Sequence, residues 1–486
     1  MIEARAASPG FFRPPYLWRV NRPTATRRLF ATVITVLVVG FAAFLWFRPL
    51  LNIANGYAAK HACSCYHLQG RELDDISKQD LNFSVLPYVH LGLVKGGVRA
   101  TLLGLVPREA YYVPGRGCTL INDERAELVG ADAGGRVGGK WEADPTLLPP
   151  PPLEPELIEA LEYGMRPTAG GGARAIVVYK DGKLLADTYA PGFDPATRFL
   201  GWSMTKTLTA LAWGRHLSPP VRAGLAPALL LAPARPLAPA LLLDPAHPLD
   251  PARQITPANL HPTWTDARAR ITLAELLHMN SGLAWNEGYG SLTDATIMLH
   301  EKPDFAAYAA RMPAVARPDS VWNYSSGTTN LLMHLLQEQI GAEHFHTFLY
   351  DSLFTRIAPS LLIEPDQSGT PVGSSYGWAT ARDWANLGQF MLQGGIWEGD
   401  TLIAPEWIEW MQEPATGSNG TYGGHLWLPG PDLPNIPEDA YIMRGFQDQR
   451  VFVVPSRNLV VARLGHGEDK SADFDGFLER LLTALD

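Results

Sequence analysis

Cysteine is scarce in this chain: 486 residues contain only Cys63, Cys65 and Cys118. Three thiolates fall short of a four-cysteine zinc site, and a mixed site needs a fourth ligand at tighter spacing. Basic charge is also short. Forty Lys and Arg face 49 Asp and Glu, a net charge of −9, which excludes a general nucleic-acid binder with a basic face. Charged residues make up only 18% against 46% hydrophobic ones, so the composition is that of a globular protein rather than a disordered one. Histidine clusters at metal-ligand spacing are lacking too. His344-Phe345-His346 has only Glu343 beside it and reads as the end of an amphipathic helix. No metal or other cofactor is expected.

One long apolar run is present. Residues 29–47 (LFATVITVLVVGFAAFLWF) hold no charge, and as a helix they span about 28 Å, the thickness of a bilayer core. Arg5, Arg13, Arg19, Arg22, Arg27 and Arg28 precede the run, against the single acid Glu3. By the positive-inside rule residues 1–28 stay cytoplasmic, 29–48 form a signal anchor in the inner membrane, and the rest is exported. A cleaved signal peptide is the alternative, but the run is long for one and no small-x-small site follows directly. In an oxidising compartment Cys118 is expected to pair with Cys65 or Cys63, the odd cysteine being unassigned.

Residues 49–152 read as an N-terminal strap or pre-domain ending in a proline run, and 153–486 as the main domain. A helix is expected over 155–163. Strands are expected at 175–179 and 184–189, joined by a tight turn, and again at 449–454 and 459–464. A last amphipathic helix covers 473–485. Strands at both ends with helices between them predict an α/β (α+β) fold: an antiparallel sheet built from both ends of the domain and flanked by helices, plus an all-helical region. Within 218–258, APALLLAPARPL is followed by APALLLDPAHPL. Regular prolines forbid a continuous helix there, which marks a low-complexity surface insertion.

The chemistry is carried by Ser203-Met204-Thr205-Lys206. Residues three apart share a helix face, so the Lys206 amine reaches the Ser203 hydroxyl. A serine needs a neighbouring base to become nucleophilic, and lysine serves only when its ordinary pKa of about 10.4 is lowered by burial. Phe199, Leu200, Trp202, Leu208 and Leu211 supply apolar flanks. Ser203 is the one serine of the chain followed three residues later by lysine. Far downstream, Tyr324-Ser325-Ser326-Gly327 precedes a helical run, and Tyr324 is placed to pass a proton to the leaving group.

FLGWSMTKTLTAL, LLHMNSGL at 276–283, WNYSSGTTNLL and VGSSYGWATARDW resemble the class C β-lactamase-related serine hydrolases. That family includes penicillin-recognising peptidases, esterases and the hydrolase of 6-aminohexanoate dimer. The resemblance implies an acyl-enzyme on Ser203, with Lys206 and Tyr324 handling protons. It also implies an oxyanion hole shared between Ser203 and a strand at 463–467. Many relatives carry Lys-Thr-Gly on that strand; here Gly465-His466-Gly467 is expected to stand in its place. A neutral histidine anchors a carboxylate weakly, so the expected substrates are small amides or esters rather than β-lactams.

Two other readings compete. Gly373-Ser374-Ser375-Tyr376-Gly377 fits the Gly-x-Ser-x-Gly elbow of α/β-hydrolases, with His466 downstream. The residues before it are turn-like, however, and Thr380-Ala381-Arg382-Asp383 looks like a helix start. A non-catalytic, penicillin-binding-like sensor is the other, opposed by Ser203, Lys206 and Tyr324 occurring together.

Overall fold

The computed structural model describes residues 25–123, 152–218, 264–468 and 470–486. The basic tail through residue 24, most of the proline run and the repeat insertion beyond Ser218 lie outside the described residues. The chain divides into two compact units, Met1–Pro49 and Leu50–Asp486. In the first, the described residues begin helix α1 (Ala25–Ser64). Its apolar window is long enough to cross a membrane, and none of that window is buried.

The centre of the second unit is a six-stranded antiparallel sheet. Tyr441–Gly445 forms one edge, followed by Gln449–Val454, Leu459–His466 and Gly171–Lys180. Lys183–Tyr189 and the short Pro167–Thr168 pair with the last of these. Strands from both ends of the domain thus meet in register, with Val461 opposite Val178 and Ala462 opposite Val177. Alternation sorts their side chains to two faces. Ala175, Val177, Val451, Val453, Val460 and Ala462 face helix Ala381–Leu392 and the helical region. Ile176, Val178, Phe452, Val454 and Val461 pack on helices Pro155–Gly164 and Phe474–Ala484. Covering both faces explains why these strands read as nearly unbroken apolar runs. Gly388 lets its helix approach the sheet, since a Cβ there would meet Val460 and Val451 at 2.7 and 2.8 Å.

The segment after Leu50 wraps a second sheet, β1 (Val89–Val94), β2 (Gly97–Leu102), β3 (Leu105–Val113) and β4 (Gly117–Leu120), all antiparallel neighbours. Its core is continuous with residues of the main domain: Ala58, Ala62, Val98, Ala110 and Leu120 cluster with Leu200, Trp202, Tyr376 and Trp378. A buried carboxylate ties the parts together. Glu364 accepts hydrogen bonds from Ser64 Oγ (2.8 Å), the Cys118 amide (2.6 Å) and Trp378 Nε1 (2.8 Å), and pairs with the buried Lys60 ammonium.

Cys118 pairs with Cys63, and Cys65 remains a buried free thiol, which settles the choice left open above and removes Cys65 as the bridge partner. Two helical positions differ by about 200° around the axis, so only Cys63 turns toward β4. Cys65 Sγ lies 3.4 Å from His61 Nε2 instead. His61, Cys65 and Asp80 are close enough to share an ion, yet Asp80 is already held by Arg71 at 2.6 Å and Arg174 at 2.7 Å.

Candidate active site

A short strand, Arg198–Leu200, feeds a single 3₁₀ turn, Trp202–Met204, which opens into helix Thr205–Leu217. The helix therefore begins two residues after Ser203. Trp202 adopts φ +48°, a conformation that costs a bulky residue on the order of 1–3 kcal/mol. Its surroundings enforce it. The indole Nε1 donates to Gln447 Oε1 at 3.2 Å, and the ring stacks with Tyr57 at 5.9 Å and His61 at 6.2 Å. Gly201 admits Trp384, whose ring would lie 2.3 Å from any Cβ there. The turn presents Ser203 next to the start of the helix.

Lys206 Nζ lies 3.1 Å from Ser203 Oγ, donates to Ser326 Oγ at 2.9 Å, and donates to the Ser374 carbonyl at 3.1 Å. A neutral amine has two protons and one lone pair. With Ser326 and Ser374 taking the protons, the lone pair faces the Ser203 hydroxyl. Burial lowers the Lys206 pKa to about 8, against the opposing pull of Glu287. The amine can thus be unprotonated near neutral pH and accept the serine proton.

Tyr324 joins this group. Its ring centroid is 4.7 Å from Lys206 Nζ, and the ring packs on Trp427 at 5.4 Å and Tyr422 at 5.7 Å. Burial, then the Glu287 charge, pushes the phenol well above its ordinary range. It is therefore protonated at neutral pH and suited to donate a proton. It stands immediately before helix Ser326–Ile340, which is capped by Ser325 Oγ accepting from the Thr328 amide at 3.0 Å.

Glu287 escaped the sequence reading. It follows Leu283 by four residues on an irregular loop, where no spacing announces it. Its carboxylate accepts from Trp285 Nε1, from Tyr289 OH at 2.6 Å, from the Ser326 amide at 2.8 Å and from Ser326 Oγ. Oε1 lies 3.9 Å from Lys206 Nζ. Ser326 was also unassigned, though it lay inside a quoted motif.

The strand expected to face the nucleophile is corrected. Leu459–His466 is the third strand from the edge, with Gly465 opposite Ala173 and His466 opposite Gly172. His466 is buried, its Nε2 3.2 Å from Asn82 Oδ1. The edge strand Tyr441–Gly445 takes that place, packing on Trp202–Met204. Gly445 is required there, because a Cβ would lie 2.1 Å from the Gly201 carbonyl. The strand contains no lysine, and its Arg444 pairs with Asp432 at 3.0 Å.

Ser375 is no elbow nucleophile in this geometry. It is buried, its Oγ 2.8 Å from Ser374 Oγ, and it follows a turn and an isolated Pro365–Pro371 bridge rather than a strand. Gly373–Gly377 instead supports the lysine. A Cβ at Gly373 would lie 2.3 Å from Thr209 Oγ1, and the Gly377 amide donates to Thr205 Oγ1 at 2.9 Å. His344 and His346 are exposed on helix Ala342–Leu349, remote in role from this group: His344 lies 3.9 Å from Glu343, and His346 packs on Tyr350.

The beta-lactamase family profile matches residues 165–484. Among solved structures, a protein assigned as a 6-aminohexanoate-dimer hydrolase from Bacillus anthracis is 17% identical, with TM-score 0.51 over 71% of this chain and 88% of its own. A penicillin-binding protein homolog from Caulobacter crescentus is 15% identical, with TM-score 0.50 over 68% of this chain and 98% of its own. No curated protein matches the chain. With a profile that spans well over half its length, the chain belongs to the beta-lactamase family of serine hydrolases.

Proposed function

We propose that this protein is a membrane-anchored hydrolase that cleaves small amides or esters through an acyl-enzyme on Ser203. The observation that carries the reading is the Lys206 amine, buried, lowered to about 8, and 3.1 Å from the Ser203 oxygen. Lys206 takes the Ser203 proton as Oγ attacks the carbonyl carbon. The oxyanion is met by N–H groups at the Ser203 turn and on the edge strand beside Gly445. Protonated Tyr324 gives its proton to the departing amine or alcohol and is recharged through Lys206. Water then enters, is deprotonated by the same amine, and releases the acid.

Residues 29–47 anchor the protein in the inner membrane, with the arginine-rich tail cytoplasmic and the catalytic part on the periplasmic or extracellular side. No nucleic acid takes part. A fluorophosphonate probe, followed by peptide mass mapping of the full chain in detergent, tests the catalytic reading. The adduct is expected on Ser203 and lost in Ser203→Ala. An adduct on Ser375, or none on folded protein, overturns it.

A further inference from the structure

We propose that Tyr57 and His61, on the part of α1 that belongs to the second unit, are positioning residues of the active site. Their rings clamp Trp202 and so hold the Ser203 turn against the end of the edge strand. This rests on the acyl-enzyme reading of Ser203.

Trp202 joins the two proposed sources of oxyanion donors. Its backbone leads into Ser203, and its indole Nε1 donates at 3.2 Å to Oε1 of Gln447, two residues past Gly445, where the edge strand ends. The left-handed backbone of Trp202, φ +48°, is disfavoured for a bulky side chain. Gln447 and Asp448 share that region at +57° and +62°. Turn and strand end are both held in sparsely populated conformations, which persist only where the surroundings impose them.

The surroundings here are three nearly parallel rings. Tyr57 and Trp202 lie 5.9 Å apart with their planes at 12°, His61 and Trp202 6.2 Å apart at 2°, and Tyr57 and His61 5.6 Å apart at 10°. Phe446 meets the indole edge-on at 5.8 Å. Apolar side chains of many shapes would fill the same space, but parallel flat faces also fix the rotation of the indole. Tyr57 and His61 are four residues apart and share one face of α1. Each is itself held. Phe83 and His300 meet the Tyr57 ring edge-on at 5.8 and 5.9 Å. His61 Nε2 lies 3.3 Å from Asp80 Oδ1, and Asp80 pairs at 2.7 Å with Arg174 of the central strand Gly171–Lys180. A line of contacts thus runs from the sheet through Arg174, Asp80, His61 and Trp202 to the nucleophile. The Tyr57 hydroxyl is buried without a hydrogen-bond partner among the described residues, so the ring rather than the phenol oxygen is what holds Trp202.

The full chain in detergent is labelled with a fluorophosphonate, and both the labelled fraction and the rate are followed across pH. Tyr57→Leu and His61→Leu are each expected to reach the parent's labelled fraction at a rate lower by about tenfold or more, since a shift of about 1 Å at the reacting atoms suffices. The rising limb of the pH profile stays where it is, because neither change touches Lys206. Tyr57→Phe, which keeps the ring, labels as the parent does. Asparagine tolerates the left-handed backbone, so in a Trp202→Asn background Tyr57→Leu should cost no more than about twofold. Either leucine variant labelling at the parent rate, or losing labelled sites at an unchanged rate, refutes the clamp and leaves the Ser203 assignment standing. Tyr57→Phe as slow as Tyr57→Leu refutes it too. A parent chain without an adduct on Ser203 overturns the acyl-enzyme reading itself.

Discussion

Lys206 Nζ and Glu287 Oε1 lie 3.9 Å apart, a carboxylate close beside the amine proposed as the base. Burial drives the ammonium toward neutrality and Glu287 restrains it. Glu287→Gln removes the restraint, so the Lys206 pKa falls below about 8 and the amine is free at lower pH. The rising limb of the kcat/KM profile is expected to move to more acid pH, with folding checked by thermal melting. A limb that stays in place or moves alkaline would sink this role.

How much of this was open to sequence reading depended on range. The Ser203–Lys206 contact is local, set by helix periodicity, and the strand runs at 449–454 and 459–464 announced themselves by composition. The edge strand Tyr441–Gly445 did not. It presses on the Trp202–Met204 turn because of sheet order, a non-local property that chain order cannot reveal. Glu287 stayed hidden for the same reason, since its partners converge from 285, 289, 326 and 206. Helix geometry separates Cys63 from Cys65, but only the position of β4 decides which one meets Cys118.

Glu364 and Lys60 form a buried pair, and burial by itself lowers the Lys60 pKa. Glu364→Ala leaves that ammonium without its counter-charge, together with two unmatched donors, the Cys118 amide and Trp378 Nε1. A loss of about 3–5 kcal/mol is expected in denaturant unfolding. Replacing both partners, as Lys60→Met with Glu364→Leu, should recover much of it. A single variant within about 0.5 kcal/mol of the parent contradicts the linkage.

The Cys63–Cys118 bridge closes a sequence separation of 55 residues. Peptide mapping without reductant should find it, with Cys65 alkylated only after unfolding. Cys63→Ala is expected to cost about 2–5 kcal/mol. A crosslink through Cys65 in native protein would reject the assignment.

The strand beside Ser203 offers no lysine, and Arg444 is committed to Asp432. Penicillins, which carry a carboxylate, should be turned over slowly or not at all, while small neutral esters and amides react faster. Rapid nitrocefin and penicillin hydrolysis at micromolar enzyme would refute this selectivity and leave Ser203 untouched.

The pairing of Gly171–Lys180 with Leu459–His466 also governs how the protein is made. The first of these strands is synthesised well before its central partner, with the whole helical region made between them. Until then one side of an apolar strand has no neighbour, which is the condition under which chains mispair or aggregate. Closing so long a loop late makes folding slow. A chain cut short before residue 459 lacks the strand between Gln449–Val454 and Gly171–Lys180, so the sheet would stay in two unjoined pieces.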